Sequence, residues 1–307
     1  MRWFAFIFVV LFAKNLVYSQ SSFFTPGDTL NTPRFAWSTS IFAGVWVGSV
    51  VGLKEVWYKD NWTNHFHTFD DSKQWLGMDK AGHFYTGNLL AKNVSSIYRW
   101  SGVSRNTSLL IGSSISFGYL ASVEVLDGFS DKWGFSWSDL GANTAGVAWF
   151  AWQELLWKEQ RFNLKFSVHT TEYAAYRPNV LGSNLPERIL KDYNGQTYWL
   201  SFTPGQFLSN SSRFPKWLSF SFGYSVDEKI NGTKNTVSYS HPNHPSEIAT
   251  NFQAQRQFLF SLDVNLEEIE VKKPWLKTLF KALNHVKIPF PALVLTGSKL
   301  GVHPFYF

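Results

Sequence analysis

Hydrophobic and polar positions follow two different periods along this chain, and the change falls near residue 160. From Phe35 to Leu53, nineteen residues pass without a charge, between Arg34 and Lys54. The run predicts a helix of marginal length for crossing a bilayer. Within it Ser40, Gly44, Gly48 and Gly52 recur at every fourth position, so they share one face and predict a ridge for close approach of another backbone. Further apolar helical patterns run from about Asp79 to Trp100, from Leu109 to Leu126 and from Ser138 to about Lys158. Ser138 reads as the N-cap of the last, with Asp139 in its first turn, where the helix dipole favours negative charge. Short polar linkers predict an up-and-down four-helix bundle over residues 35–158.

Beyond Gln160 the period becomes two. Phe162, Leu164, Phe166 and Val168 alternate with Asn163, Lys165 and Ser167. The pattern returns at Leu218–Val226 and Phe258–Leu266, with shorter candidates at Tyr198–Thr203 and Ala292–Thr296. Such alternation predicts antiparallel strands with one apolar face. Pro274–Val286 reads as a short basic amphipathic helix. The aromatic end Phe305-Tyr306-Phe307 resembles the tail of an outer-membrane barrel, but Pro304 interrupts it and five or six strands are too few for a complete one. The expected fold class is therefore α+β: an N-terminal membrane-associated four-helix bundle, then an antiparallel β-rich half over 159–307, packed on the bundle or partly membrane-associated.

Composition adds an address. Arg2 precedes an eleven-residue apolar run, Trp3–Ala13, and Val17-Tyr18-Ser19 offers a cleavage site before Gln20. This is the layout of a secretory signal peptide over 1–19, followed by an exposed leader over 20–34. Fifteen Trp and twenty-nine Phe suit a membrane interface. The net charge of +6 is scattered, which argues against nucleic acid and permits attraction to anionic lipid. No cysteine is present, which excludes disulfides and thiolate metal sites.

Candidate chemistry lies in a sparse polar row set into the apolar helices: Asp79, Lys80, His83, Glu124, Asp127, Asp139 and Asn143. Asp79 and His83 are four apart, as are Asp139 and Asn143, so each pair shares a helix face. An up-and-down bundle brings the start of the second helix, the end of the third and the start of the fourth to the same end. Gathered carboxylates must hold protons, recruit Lys80 or bind a cation. Asp79, His83, Glu124, Asp127 and Asp139 are the candidate ligands of a divalent metal, and zinc, manganese or magnesium suits them better than a soft ion. His83, Glu124, Asp139 and Asn143 are the candidate catalytic residues for acid–base work. A structural network, with His83 bonded to a carboxylate and Asp139 capping its own helix, explains the same residues. His65 and His67, and His241 and His244, read as solvated loops. There is no nucleophile elbow, phosphate loop or dinucleotide fingerprint.

Three blocks, Met78-Asp79-Lys80-Ala81-Gly82-His83-Phe84, Glu124-Val125-Leu126-Asp127-Gly128 and Ser136–Gly146, agree in order and spacing with a known pattern. The region resembles the uncharacterised YfiM-type family of predicted periplasmic lipoproteins, and its motif order is similar to that of VanZ-like membrane proteins. The resemblance implies roles for Asp79, Lys80, His83, Glu124, Asp139, Asn143 and Gly146, but supplies no reaction. The chain departs from the family in lacking a lipidated cysteine and in carrying the β-rich half, as do longer Bacteroidota-type versions. Two functions follow as expectations. The first is an exported, membrane-associated scaffold of a Gram-negative envelope, at the outer membrane or its periplasmic face, contacting lipid and an envelope protein partner. The second is a metal- or acid/base-dependent enzyme acting on a lipid or cell-wall precursor.

Overall fold

The computed structural model describes residues 23–209, 212–241 and 248–307. The expected signal peptide, its cleavage site and His244 lie outside them. Four long helices lead: α1 (Thr32–Gly52), α2 (Met78–Trp100), α3 (Arg105–Asp127) and α4 (Trp137–Leu156). The short helices α5 (Pro178–Leu181), α6 (Leu185–Lys191) and α7 (Pro274–Leu283) lie among eight strands. The architecture is α+β, with the long helices in the N-terminal half and an antiparallel sheet in the C-terminal half.

The four long helices do not pack equally. α2, α3 and α4 interlock at small residues. A Cβ placed on Gly146 of α4 would lie 2.0 Å from the Phe84 carbonyl oxygen, and one on Gly87 of α2 would lie 2.4 Å from that of Asn143. α1 only leans on this trio. The ring of Trp46 sits against Gly118, and Trp46 Nε1 donates to Ser122 Oγ at 3.2 Å. The expected glycine ridge is not the contact, since a Cβ on Gly44, Gly48 or Gly52 would meet nothing within 4 Å. α1 is apolar on all sides, so its pattern singles out no buried face. The N-cap of α4 is Ser136, two residues before the expected Ser138; its Oγ accepts from the Asp139 amide at 3.1 Å. Ser138 instead donates to Asp71 at 2.9 Å.

The strands are β1 (Phe162–Val168), β2 (Gln196–Phe202), β3 (Leu218–Asp227), β4 (Thr236–Tyr239), β5 (Thr250–Gln253), β6 (Gln255–Val264), β7 (Phe290–Thr296) and β8 (Lys299–Tyr306). Six form one sheet in the order β1-β2-β3-β6-β7-β8, and β4-β5 is a separate hairpin. The sheet curls back on itself. The Phe166 amide donates to His285 O at 3.0 Å and the Lys287 amide to Phe166 O at 2.9 Å, joining β1 to the segment that enters β7. Pro304 does not end β8: the register shifts between Phe290 and Ala292, and this irregularity on the edge strand accommodates the proline.

The alternation is as the sequence predicts, but most of its apolar face points outward. Inside the curl lie Ser201, Ser219, Ser221, Ser225 and Ser261, all buried. Lys165 Nζ contacts Asp263 at 2.9 Å and donates to Val264 O at 2.7 Å, while Lys287 Nζ lies 3.8 Å from Asp263 on its other oxygen. Trp199, Leu259, Ala292, Val294 and Tyr306 fill the remaining interior. On the outside, Phe166 and Tyr198 of β1 and β2 pack on Tyr85 of α2. Phe222, Phe258, Leu293 and Leu295 of the later strands remain exposed.

Candidate functional site

The entry into α2 is a strained turn. Trp75 (φ 50°), Leu76 (φ 55°) and Gly77 (φ 85°) are all left-handed. For the two non-glycine residues this costs of order 1–3 kcal/mol each. The Trp75 amide donates to Gly232 O at 2.8 Å, and Tyr224 OH donates to Leu76 O, so the sheet half holds the turn in place. Immediately afterwards, the first turns of α2 project Asp79, Lys80 and His83.

Lys80 is the hub. Its Nζ lies 2.7 Å from Asp71, 2.9 Å from Asp79 and 2.5 Å from Asp139. His83 spans the rest. Its Nδ1 is 3.1 Å from Asn143 Oδ1, and Asn143 Nδ2 donates to Glu124 at 3.0 Å. An amide oxygen can only accept, so this contact puts a proton on Nδ1 and turns Nε2 towards Asp139 at 3.5 Å and Asp79 at 3.7 Å. The close crossing at Gly87 and Gly146 is what lets α2 and α4 share these bonds. Asp127 stands to one side, accepting from Tyr58 OH at 2.7 Å.

The three sequence blocks therefore meet at one end of the α2–α4 trio. Asp71, from a loop, and Tyr193, which donates to Asp79 at 2.7 Å, also join them. Neither had a helical period to reveal it. Tyr193 lies more than a hundred positions from its partner, and Asp71 reads in sequence as part of a solvated histidine loop.

Electrostatics divide the carboxyls. Burial, then the neighbouring Asp79 charge, pushes Asp139 up to about 7. Burial also opposes ionisation of Asp79, but His83 and Lys80, with the Lys80 and Tyr193 hydrogen bonds, hold it below the usual range. At Asp71 the cost of burial is overcome by Lys80 and Ser136, and it falls to about 2. Burial, then the Asp139 and Asp127 charges, pushes Glu124 up to about 9. The cluster thus holds two ionised carboxylates, Asp71 and Asp79, and two proton-retaining carboxyls, Asp139 and Glu124, beside one imidazole.

Among the described residues, Asp79, His83 and Asp139 bring ligand atoms within 4.8 Å of one another. Two carboxylates and an imidazole suit a divalent ion. The Lys80 ammonium already bridges both carboxylates, however, so a metal would compete with it for the same oxygens. The site opens on a groove of about 350 Å³ whose walls include Tyr85, Leu120, Phe166, Leu190 and Tyr198, with Asp79 and His83 along it.

No curated protein and no solved structure matches the chain. Residues 67–154, which contain every clustered residue named above except Tyr58 and Tyr193, match the family model described as Predicted periplasmic lipoprotein (DUF2279).

Proposed function

We propose that this chain is an exported envelope protein whose helical half carries an acid–base site for hydrolysing an ester bond of an amphiphile. The family description supports the envelope address. The observation that carries the reaction is the groove. Its walls are mostly aromatic and aliphatic, which suits a hydrocarbon chain, and it runs past His83 and Asp79.

With Nδ1 held by Asn143, the uncharged form of His83 takes a proton from water at Nε2, between Asp79 and Asp139, as the resulting hydroxide attacks the ester centre. Asp139, still protonated near neutrality, gives its proton to the leaving oxygen. His83 then returns its proton to Asp139 across 3.5 Å, and the site is restored. Water and ester become acid and alcohol. Lys80 supports this by keeping the carboxyls together.

The test incubates the full chain in detergent with phospholipids labelled separately on the acyl chain and on the headgroup. Release of one label is expected from the wild type. His83→Gln and Asp139→Asn should lose release while keeping a wild-type unfolding midpoint. Undiminished release by both variants would sink the reading. The scaffold reading is favoured by one observation, that Lys80 already ties together three carboxyl groups, and predicts that both variants unfold early.

A further inference from the structure

The sheet half keeps polar groups where a water-soluble protein keeps its core, and apolar groups where such a protein meets water. Lys165 and Asp263 are fully buried in its interior, whereas Phe222 is 56% exposed, Phe258 54%, Leu300 68% and Val302 69%. The helical half repeats the theme. Only 6% of the most apolar stretch of Thr32–Trp57 is buried, and Leu110 and Phe117 of α3 are exposed. A protein in water gains by hiding such groups, at roughly 25 cal/mol per Å². A protein in hydrocarbon has no such incentive and must instead satisfy its polar groups internally.

The dimensions agree. Thr32–Trp57 and Arg105–Asp127 are each long and apolar enough to cross a membrane. The 23 residues of α3 rise about 35 Å, against about 30 Å of hydrocarbon. β3 and β6 have ten residues each, within the roughly 9–11 of a tilted membrane strand.

Aromatic rings mark both rims. Near the His83 end, Trp57 stacks on Trp133 and Trp62 on Phe129. At the other end of the helices, Trp152 packs on Trp157, and Trp100 on Phe23. Rings of this kind are enriched at bilayer interfaces. α7 adds an amphipathic element: Trp275, Leu279 and Leu283, four apart, are 47%, 42% and 46% exposed, with Lys272, Lys273 and Lys277 beside them. Such a helix suits a position flat in the headgroup layer.

We infer that the outer face of β3, β6, β7 and β8, together with α1 and the exposed side of α3, is a lipid-facing wall, and that α7 rests in the headgroups. A second copy of the chain is the less apt occupant. The exposed apolar surface belongs to elements of both halves, bounded by aromatics at both ends, whereas a two-fold contact covers one patch. The inference is independent of the proposed reaction, because its readout needs no turnover.

The chain has no native cysteine, so single cysteines can be placed and labelled with a fluorophore. Phe222→Cys, Leu293→Cys, Val45→Cys and Trp275→Cys are reconstituted as full chains in phosphatidylethanolamine–phosphatidylglycerol vesicles, with exposed Glu172→Cys as the aqueous control. Labels at 222, 293 and 45 should be quenched at least threefold more by lipid brominated in mid-chain than by aqueous iodide. The label at 275 should respond most to lipid brominated next to the headgroup, and the label at 172 to iodide alone. Iodide quenching at 222 and 293 equal to that at 172 would overturn the inference. So would protection from both quenchers, which would mean that protein covers the wall. Each variant is first checked for a wild-type unfolding midpoint, and reading the same labels in His83→Gln separates a failure of this inference from a failure of the reaction.

Discussion

The two halves each bury a charged centre, and the two centres differ in balance and in access. In the sheet half one carboxylate, Asp263, faces two ammonium groups, Lys165 and Lys287, all within 1% of complete burial. Both lysines also donate to backbone carbonyls: Lys165 to Val264, and Lys287 to Leu262 and Ile288. That centre is sealed and its donors are committed. In the helical half the imbalance is reversed, with Asp71, Asp79, Glu124 and Asp139 around Lys80 and His83. The His83 side chain keeps 27% exposure and Asp79 21%, along a groove. Excess positive charge held by fixed carbonyls is a way to fill an interior. Excess carboxyl beside a reachable imbalanced imidazole is a way to move a proton.

The sheet centre gives the largest expected effect. Asp263→Leu strands two buried cations and should cost roughly 3–5 kcal/mol, seen as loss of folded protein by near-ultraviolet circular dichroism. Replacing all three groups at once (Lys165→Met, Asp263→Leu, Lys287→Met) should recover the fold, because an apolar trio has no desolvation cost to offset. If the triple variant is as unstable as the single one, the sheet centre does more than fill space. His83→Gln should do the opposite. Its folded stability should stay within about 1 kcal/mol, since the ring is partly exposed and makes one hydrogen bond. Its hydrolytic rate should fall on the order of 10²–10⁴-fold, the usual contribution of a general base.

This contrast also explains what the sequence could and could not reveal. The helical site was legible because four-residue spacing fixes a shared face: Asp79 with His83, and Asp139 with Asn143, are neighbours before any tertiary fold is known. Helix order then brought Glu124 to the same end. Asp71 and Tyr193 were not legible, because a loop and a distant turn have no period to announce their direction. In the sheet, alternation located β1, β2, β3, β6 and β7 to within a few residues of their ends but missed the β4-β5 hairpin and the extent of β8, and could not say which face is inside. The pattern of Leu218–Asp227 is the same whether Phe222 or Ser221 points inward. Only the partners decide, here Ser201 and Asp263 on the two neighbouring strands, whose inward side chains bond to Ser221. The glycine ridge of α1 misled for a related reason: it marks a face that could be approached, and nothing approaches it.

The pH dependence of stability sharpens the same comparison at smaller amplitude. Asp139 is raised from an ordinary 3.8 to about 7, so between those values the folded protein holds a proton that the unfolded chain has released. Its contribution is fully present below about 4 and is lost as pH rises towards 7. Asp71, lowered to about 2, acts with the opposite sign and only under more acid conditions. Asp127, raised to about 6, and Glu124, raised to about 9, act with the same sign as Asp139, so the unfolding midpoint of the wild type should fall as pH rises from about 4 to 9. Asp139→Asn, which cannot titrate, should make that slope shallower below about pH 7 while Glu124 keeps the part above it; a slope unchanged below pH 7 would mean that Asp139 holds no proton there.

Tyr193→Phe is the mildest probe, and it tests whether the helical site depends on the sheet half at all. Tyr193 lies just before β2 and donates to Asp79 at 2.7 Å. A hydrogen bond to a charged acceptor is worth roughly 1.5–3 kcal/mol. Phe keeps the ring contact with Trp75 at 5.2 Å, so packing should survive and only the polar link is removed. Asp79 then loses one of the groups that hold its negative charge, and its affinity for a proton rises. A protonated Asp79 no longer pushes Asp139 up, so the alkaline limb of the pH–rate profile, which loss of the Asp139 proton sets, should move to lower pH. A profile identical to wild type would mean that Lys80 and His83 alone hold Asp79 ionised, and that the helical half sets its own chemistry.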